Sequence, residues 1–146
     1  MNQSLAYFAS VLRRDFVNTC SRELQKSHLT PGLLYPVLYI GNHPSCSPKD
    51  IMQSLHIDWG QLQRSLDKLA SDGWILKEKN PRDRRAYQLN LTAAGHQLFQ
   101  KSHEMLAAWD EEKLSALTEA ERQQLFLLLG RILQAAPVPD SSSANY

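Results

Sequence analysis

The chain is 146 residues long, 42% hydrophobic and 21% charged, with a formal net charge of +1. That length suits one domain with its own core, and no apolar run approaches the roughly 20 residues of a membrane span. Cys20 and Cys46 point to a reducing compartment rather than a disulfide scaffold. The opening residues lack the basic n-region of a signal peptide, so a cytoplasmic protein without a membrane partner is expected.

Leu5, Phe8, Leu12, Phe16, Cys20 and Leu24 recur at steps of three and four and predict a helix over 4–26. Thr30-Pro31 then reads as an N-cap followed by proline at the first helical position. Leu33, Leu34, Val37, Leu38 and Ile40 carry that second helix until Gly41-Asn42-His43-Pro44 ends it. Pro36 falls in or just after the first turn, where a missing N–H costs least. Ser47-Pro48-Lys49-Asp50 repeats the start signal, with an acid near the positive end of the helix dipole. It predicts a short third helix over 48–55 with Ile51, Met52 and Leu55 inward.

Asp58 caps a fourth helix, with Gln61 three residues on; Leu62, Leu66 and Leu69 mark its buried side and Asp72-Gly73 its end. Beyond Gly73 the period changes. Strands are predicted over 74–79 and 86–91, joined by an extended loop over 80–85. Thr92 caps a long helix running to about Leu117, and Thr118-Glu119-Ala120-Glu121 is a capping box opening a last helix. Residues 137–146, polar and proline-containing, read as a flexible tail.

The order α-α-α-α-β-β-α-α describes a mainly α fold with a small β-wing. Its centre, 30–91, is a helix-turn-helix whose second helix suits the major groove, followed by a hairpin, which makes a winged helix. The flanks, 1–29 and 92–136, form a helical dimerisation region. Leu98, Phe99, Met105, Leu106 and Trp109, with Leu125, Phe126, Leu128 and Leu129, are more apolar positions than one small lobe covers. A two-fold homodimer is the simplest cover, and it matches a palindromic DNA site.

Charge is concentrated at the wing. Residues 74–88 hold five basic side chains (Lys77, Lys79, Arg82, Arg84 and Arg85) against Glu78 and Asp83, a local +3 that leaves the other 131 residues at −2. A basic patch on a slightly acidic body indicates a local anionic contact. On the fourth helix, Trp59, Gly60, Gln61, Gln63 and Arg64 lie on or beside the face opposite the leucines. Glutamines pair with an adenine edge, arginine with guanine or a phosphate, and Gly60 permits close approach. Asp58 opposes phosphate and reads as a cap. The plainer alternatives are a solvated helix face and a charged turn kept soluble by its arginines.

S-P-K-D-I in the third helix, D-W-G-Q-L-Q-R-S-L-D-K-L-A-S-D-G-W-I through the fourth and N-P-R-D-R-R-A-Y-Q-L-N-L-T-A-A-G across the wing together resemble the MarR-type winged-helix transcriptional regulators. The resemblance covers roughly 30–100 in detail; D-R-R followed by L-T-x-x-G is its most specific part. It implies a homodimeric DNA-binding regulator, often a repressor, whose hold on operator DNA responds to a small molecule or an oxidant. It also implies that Arg85 inserts into the minor groove while Asp83 clamps its guanidinium by a bidentate pair. Arg82, Arg84, Lys77 and Lys79 then become phosphate or hairpin-flank contacts. A ligand pocket is implied at the junction of dimer helices and reading lobe, with Phe16, Cys20, Tyr35, Tyr39 and Trp109 as candidate lining and ordinary core packing as the plainer reading. Trp59, Gly60, Gln61 and Gln63 depart from the small or hydroxyl residues common in the family, which points to an unusual operator. Met52 departs too, standing where alanine is frequent, and alters packing rather than contact.

Two alternatives stand beside this reading. Some relatives sense peroxide through a cysteine on the first helix, so Cys20 is either a thiol sensor or a buried small hydrophobe. The winged helix is otherwise a protein–protein module. Cys46 near His43 is a poor metal signal, and His96 and His103 read as exposed. No cofactor is implied. G-x-S-x-G, Walker, H-E-x-x-H and Cys-x-x-Cys patterns are missing from the sequence, so an enzyme is not expected.

Overall fold

The computed structural model describes residues 4–83 and 85–134. Helix α1 (Leu5–Glu23) starts at Ser4, whose hydroxyl accepts the Tyr7 N–H. It ends three residues earlier than expected. A 3-10 turn, Gln25–Ser27, follows, and His28 at φ 50° reverses the chain. Helix α2 (Pro31–Asn42) contains Pro36 without interruption.

Helices α3 (Pro48–Leu55) and α4 (Trp59–Ser71) are joined through His56 at φ 52°. Strands β1 (Ile75–Lys79) and β2 (Tyr87–Leu91) pair antiparallel, with Ile75 opposite Leu91 and Lys79 opposite Tyr87. Helices α5 (Ala93–Lys113) and α6 (Glu119–Gln134) complete the described chain. The fold is a winged helix-turn-helix between terminal helices. No described helix is long and apolar enough to cross a membrane.

Both strands begin one residue later than their sequence pattern, and α5 stops short of Leu117 at Lys113. Trp74 is withheld from the ladder because its N–H bonds the Leu69 carbonyl at 2.9 Å while Gly73, at φ 82°, bonds that of Ala70. These two bonds form a Schellman end to α4, which consumes the residue that patterning assigned to the strand. A contact the sequence did not show extends the hairpin. The loop before α3 bridges to β2, with the Ser45 N–H on the Leu89 carbonyl at 3.0 Å and the Leu89 N–H on that of Cys46 at 2.9 Å.

The core lies where α2, α3 and α4 meet β2 and α5. Leu34, Val37, Ile51, Leu62, Leu66, Leu69 and Leu89 have no exposed surface, and each buried aliphatic side chain contributes about 1.5–3 kcal/mol. On α1 the stripe divides: Phe16 and Cys20 are buried, as is Leu24 beyond the helix, whereas Leu5, Phe8 and Leu12 are exposed. Helix α6 buries nothing, leaving Phe126 and Leu133 at 53% and 57% exposed.

Candidate nucleic-acid interface

Helix α3 opens with a complete capping box, Ser47 Oγ accepting the Asp50 N–H at 3.2 Å and the Asp50 carboxylate accepting the Ser47 N–H at 2.9 Å. For α4, Asp58 accepts the Gln61 N–H at 2.8 Å, so it is the cap its position suggested. With Leu62, Leu66 and Leu69 inward, Gln61 and Arg64 are exposed, and Trp59, Gly60 and Gln63 half-buried. A Cβ added at Gly60 meets only Arg64 Nη1 and Asp58 Oδ2, each at 3.4 Å. The fold tolerates a side chain there, so what the glycine secures is a low outer surface.

The wing tip is shaped by side chains bonding backbone. Asn80 accepts the Arg82 N–H at 2.9 Å, Asp83 accepts the Arg85 N–H at 3.0 Å, and the Ala86 N–H closes on the Asp83 carbonyl. Asp83 therefore holds Arg85 by its main chain, and no guanidinium pair joins them among the described residues. Arg82, Asp83 and Arg85 are exposed, as is Lys79. Arg84 lies outside the described residues, as does the tail over 137–146. Lys77 differs from Lys79: its Nζ bonds the Asp67 carboxylate on α4 at 2.8 Å and lies 5.4 Å from the Tyr87 ring centroid.

Between the start of α3, the start of α4 and the tip side of the wing, where β2 begins, runs a groove of about 510 Å³. Trp59 and Gln63 line it from α4, Arg85 and Tyr87 from the wing, and Lys49 from α3. Of the residues chosen separately from sequence, Trp59 and Gln63 of α4 and Arg85 of the wing share this surface, and the other described ones do not line it. Lys49 and Tyr87 were missed as part of it. Lys49 was legible only as part of a helix start, and Tyr87 only as a strand residue.

A second cleft, also about 510 Å³, lies between α1, α2 and α5. Phe16, Tyr35 and Trp109, three of the five candidate pocket residues, line it together with Leu12, Arg13, Leu106 and Asp110, which sequence reasoning passed over. The Phe16 ring stands edge-on to Trp109, centroids 5.3 Å apart. Trp109 Nε1 donates to Asp15 at 2.8 Å, and Lys113 bonds the same carboxylate at 2.9 Å, so α1 fixes one wall of the cleft. The Lys113 hydrogen bond, then that of Trp109, holds the Asp15 carboxyl below its ordinary value, while burial raises that of Asp110. Cys20 and Tyr39 do not line the cleft. Cys20 is 1% exposed in the core, and Tyr39 stacks on His43 at 4.2 Å.

Burial pushes the Cys20 thiol above its ordinary value, the opposite of what a reactive thiol requires. Cys46 is pushed up to about 11 by burial and then by the Asp50 charge. Its place beside β2 is structural. Among the described residues no cluster of His, Cys, Asp and Glu assembles that would hold a metal.

A family model, that of the MarR family, matches residues 36–87. The HTH-type transcriptional regulator BilQ of Clostridium symbiosum is 40% identical over 132 residues, covering 90% of this chain and 92% of that protein. The chain belongs to the MarR family. It is a MarR-type transcriptional regulator by descent, and its solved relatives share the architecture. The transcriptional regulator SlyA superposes with a TM-score of 0.84 at 17% identity over 90% of this chain and 93% of its own. A cysteine-to-serine variant of MarR from E. coli, complexed with operator DNA, gives 0.76 at 25% identity over 88% and 93%.

Of the motif D-R-R followed by L-T-x-x-G, the second half has a structural role that the geometry makes plain. Thr92 Oγ1 donates to the Gly73 carbonyl at 2.6 Å and accepts the Gly95 N–H at 3.0 Å. A Cβ at Gly95 would collide with the Trp74 carbonyl. In this MarR protein, two small residues, Thr92 and Gly95, fasten the base of the wing to the end of α4.

Proposed function

We propose that the protein is a homodimeric repressor that reads a palindromic operator and is released by a small molecule. The observation that carries this reading is the shared groove, in which Gln63 of the recognition helix and Arg85 of the wing face one volume. Helix α4 would enter the major groove, with Gln61, Gln63 and Arg64 at base edges or phosphates. The wing would cross to the adjacent minor groove, whose negative potential attracts Arg85 without a base code. Arg82, Arg84 and Lys79 would meet phosphates, and Lys49 joins them from α3. The operator DNA held by the related E. coli MarR supports the same class of partner here.

Residues 30–91 would form the reading unit, with 1–29 and 92–136 as dimerisation region. The exposed Leu5, Phe8 and Leu12 of α1 and Phe126, Leu128, Leu129, Ile132 and Leu133 of α6 supply the apolar surface that a second copy would cover. The cleft lined by Phe16, Tyr35 and Trp109 is the candidate effector site, since a ligand there would touch α1, α2 and α5 together and favour one spacing of the two reading lobes. Thiol sensing through Cys20 is disfavoured by its burial and raised pKa.

Selection of bound sequences from random duplex DNA, with and without peroxide, tests this reading. The expected product is a palindrome with half-sites about 34 Å apart, recovered equally in both conditions. A population without enriched sequence would instead favour use of the winged helix as a protein–protein module.

A further inference from the structure

Lys77 stands in the basic cluster of the wing, yet its side chain is only 22% exposed and is already engaged on two sides. Its ammonium is 2.8 Å from Asp67 of α4 and faces the Tyr87 ring at 5.4 Å. In the hairpin register Lys77 pairs with Leu89, so Tyr87 is its diagonal neighbour on one face of the sheet. On α4, Asp67 lies one turn beyond Gln63 on the same stripe, and Gln63 lines the groove that Tyr87 and Arg85 close from the other side. A cation held between a carboxylate and an aromatic face thus spans from recognition helix to β1 to β2, directly behind that groove.

We propose that Asp67, Lys77 and Tyr87 form a brace that sets the wing's angle to the recognition helix. Lys77 and Asp67 are positioning residues: they act on DNA through the placement of Tyr87 and Arg85, and Lys77 makes no phosphate contact of its own. The proposal rests on the reading of α4 and the wing as the DNA interface, and it assigns Asp67 a role that its charge alone would forbid. A bare carboxylate beside DNA repels phosphate, so removing it should tighten binding. Removing a brace should loosen it. The sign of one substitution therefore separates the two roles.

Operator affinity is measured across a salt series for the wild type, Lys77→Met, Lys77→Arg, Asp67→Asn and the double variant Asp67→Asn/Lys77→Met. Lys77→Met and Asp67→Asn are each expected to weaken binding roughly two- to fivefold, the range an exposed ion pair supports. The double variant is expected to bind no worse than either single one, Lys77→Arg to bind as the wild type, and the salt slope to stay unchanged throughout. Tighter binding by Asp67→Asn would make Asp67 a repelling carboxylate and no brace, and a slope lowered by about one unit in Lys77→Met would make Lys77 a phosphate ligand; either result overturns the proposal. Amide hydrogen exchange of the free protein gives a second readout that needs no DNA. Faster exchange over 75–91 in both single variants, with α5 unchanged, is expected, and wild-type exchange there would also overturn the proposal. A wild type that does not distinguish operator from random duplex would sink the DNA reading itself, with the exchange result still deciding whether the brace exists.

Discussion

Asp83 sits among Arg82, Arg84 and Arg85, and its carboxylate accepts the Arg85 backbone N–H at 3.0 Å. That bond shapes the turn and leaves the Arg85 guanidinium exposed. An asparagine offers the same acceptor in the same place. Asp83→Asn is therefore expected to keep operator affinity within about twofold or to raise it by removing a negative charge, whereas Asp83→Ala weakens it by loosening the tip. Gel-shift titration decides, and a large loss in Asp83→Asn would restore the charge clamp. The caps at Ser47, Asp58, Thr92 and Thr118 were legible in the sequence because donor and acceptor lie within three residues. The Lys77–Asp67 pair and the Cys46–Leu89 bridge were not, because their partners meet only through folding. The Asp83 backbone bond was not legible for a third reason: the resemblance paired its carboxylate with the Arg85 guanidinium and is silent about the Arg85 N–H two residues on.

Each element over 30–91 was legible from its own period and caps, and its boundary shifted wherever a neighbour claimed the terminal residue. Trp74 and Gly73 show this, since they close α4 instead of opening β1. The packing of α5 against that turn depends on Gly95, where a Cβ would meet the Trp74 carbonyl, a backbone atom that cannot rotate away. Gly95→Ala is expected to lower unfolding free energy by about 1–3 kcal/mol, the usual cost of overpacking. Urea denaturation at fixed protein concentration measures it. An unchanged midpoint would mean that α5 shifts freely relative to the wing. Gly41 plays a related part, since a Cβ there would collide with the Phe99 ring where α2 meets α5.

For the whole molecule, surplus apolar sequence was readable, but its division between core and surface was not. The first half of the α1 stripe and nearly all of α6 remain uncovered, with Phe126 and Leu133 more than half exposed. Helix α6 does not fold back on the winged helix. It is held to the end of α5 instead by Arg122, which bonds the Leu114 carbonyl at 3.1 Å and the Glu111 carboxylate through both terminal nitrogens. The proposed dimer predicts that the wild type sediments as a dimer at micromolar concentration and that a joint Phe126→Glu/Leu133→Glu substitution makes it a monomer, with helicity retained and operator affinity lost. A mass that stays dimeric would place the interface elsewhere.

On the proposed function, α4 and the wing read DNA together. Fluorescence-anisotropy titration of the selected operator and of a scrambled duplex, with wild type and Arg85→Ala, tests it most directly. The expected result is a wild type that binds operator at least about a thousandfold more tightly than scrambled duplex, and an Arg85→Ala variant, still dimeric and helical, that has lost much of that advantage. Equal operator affinity for the two proteins would contradict it.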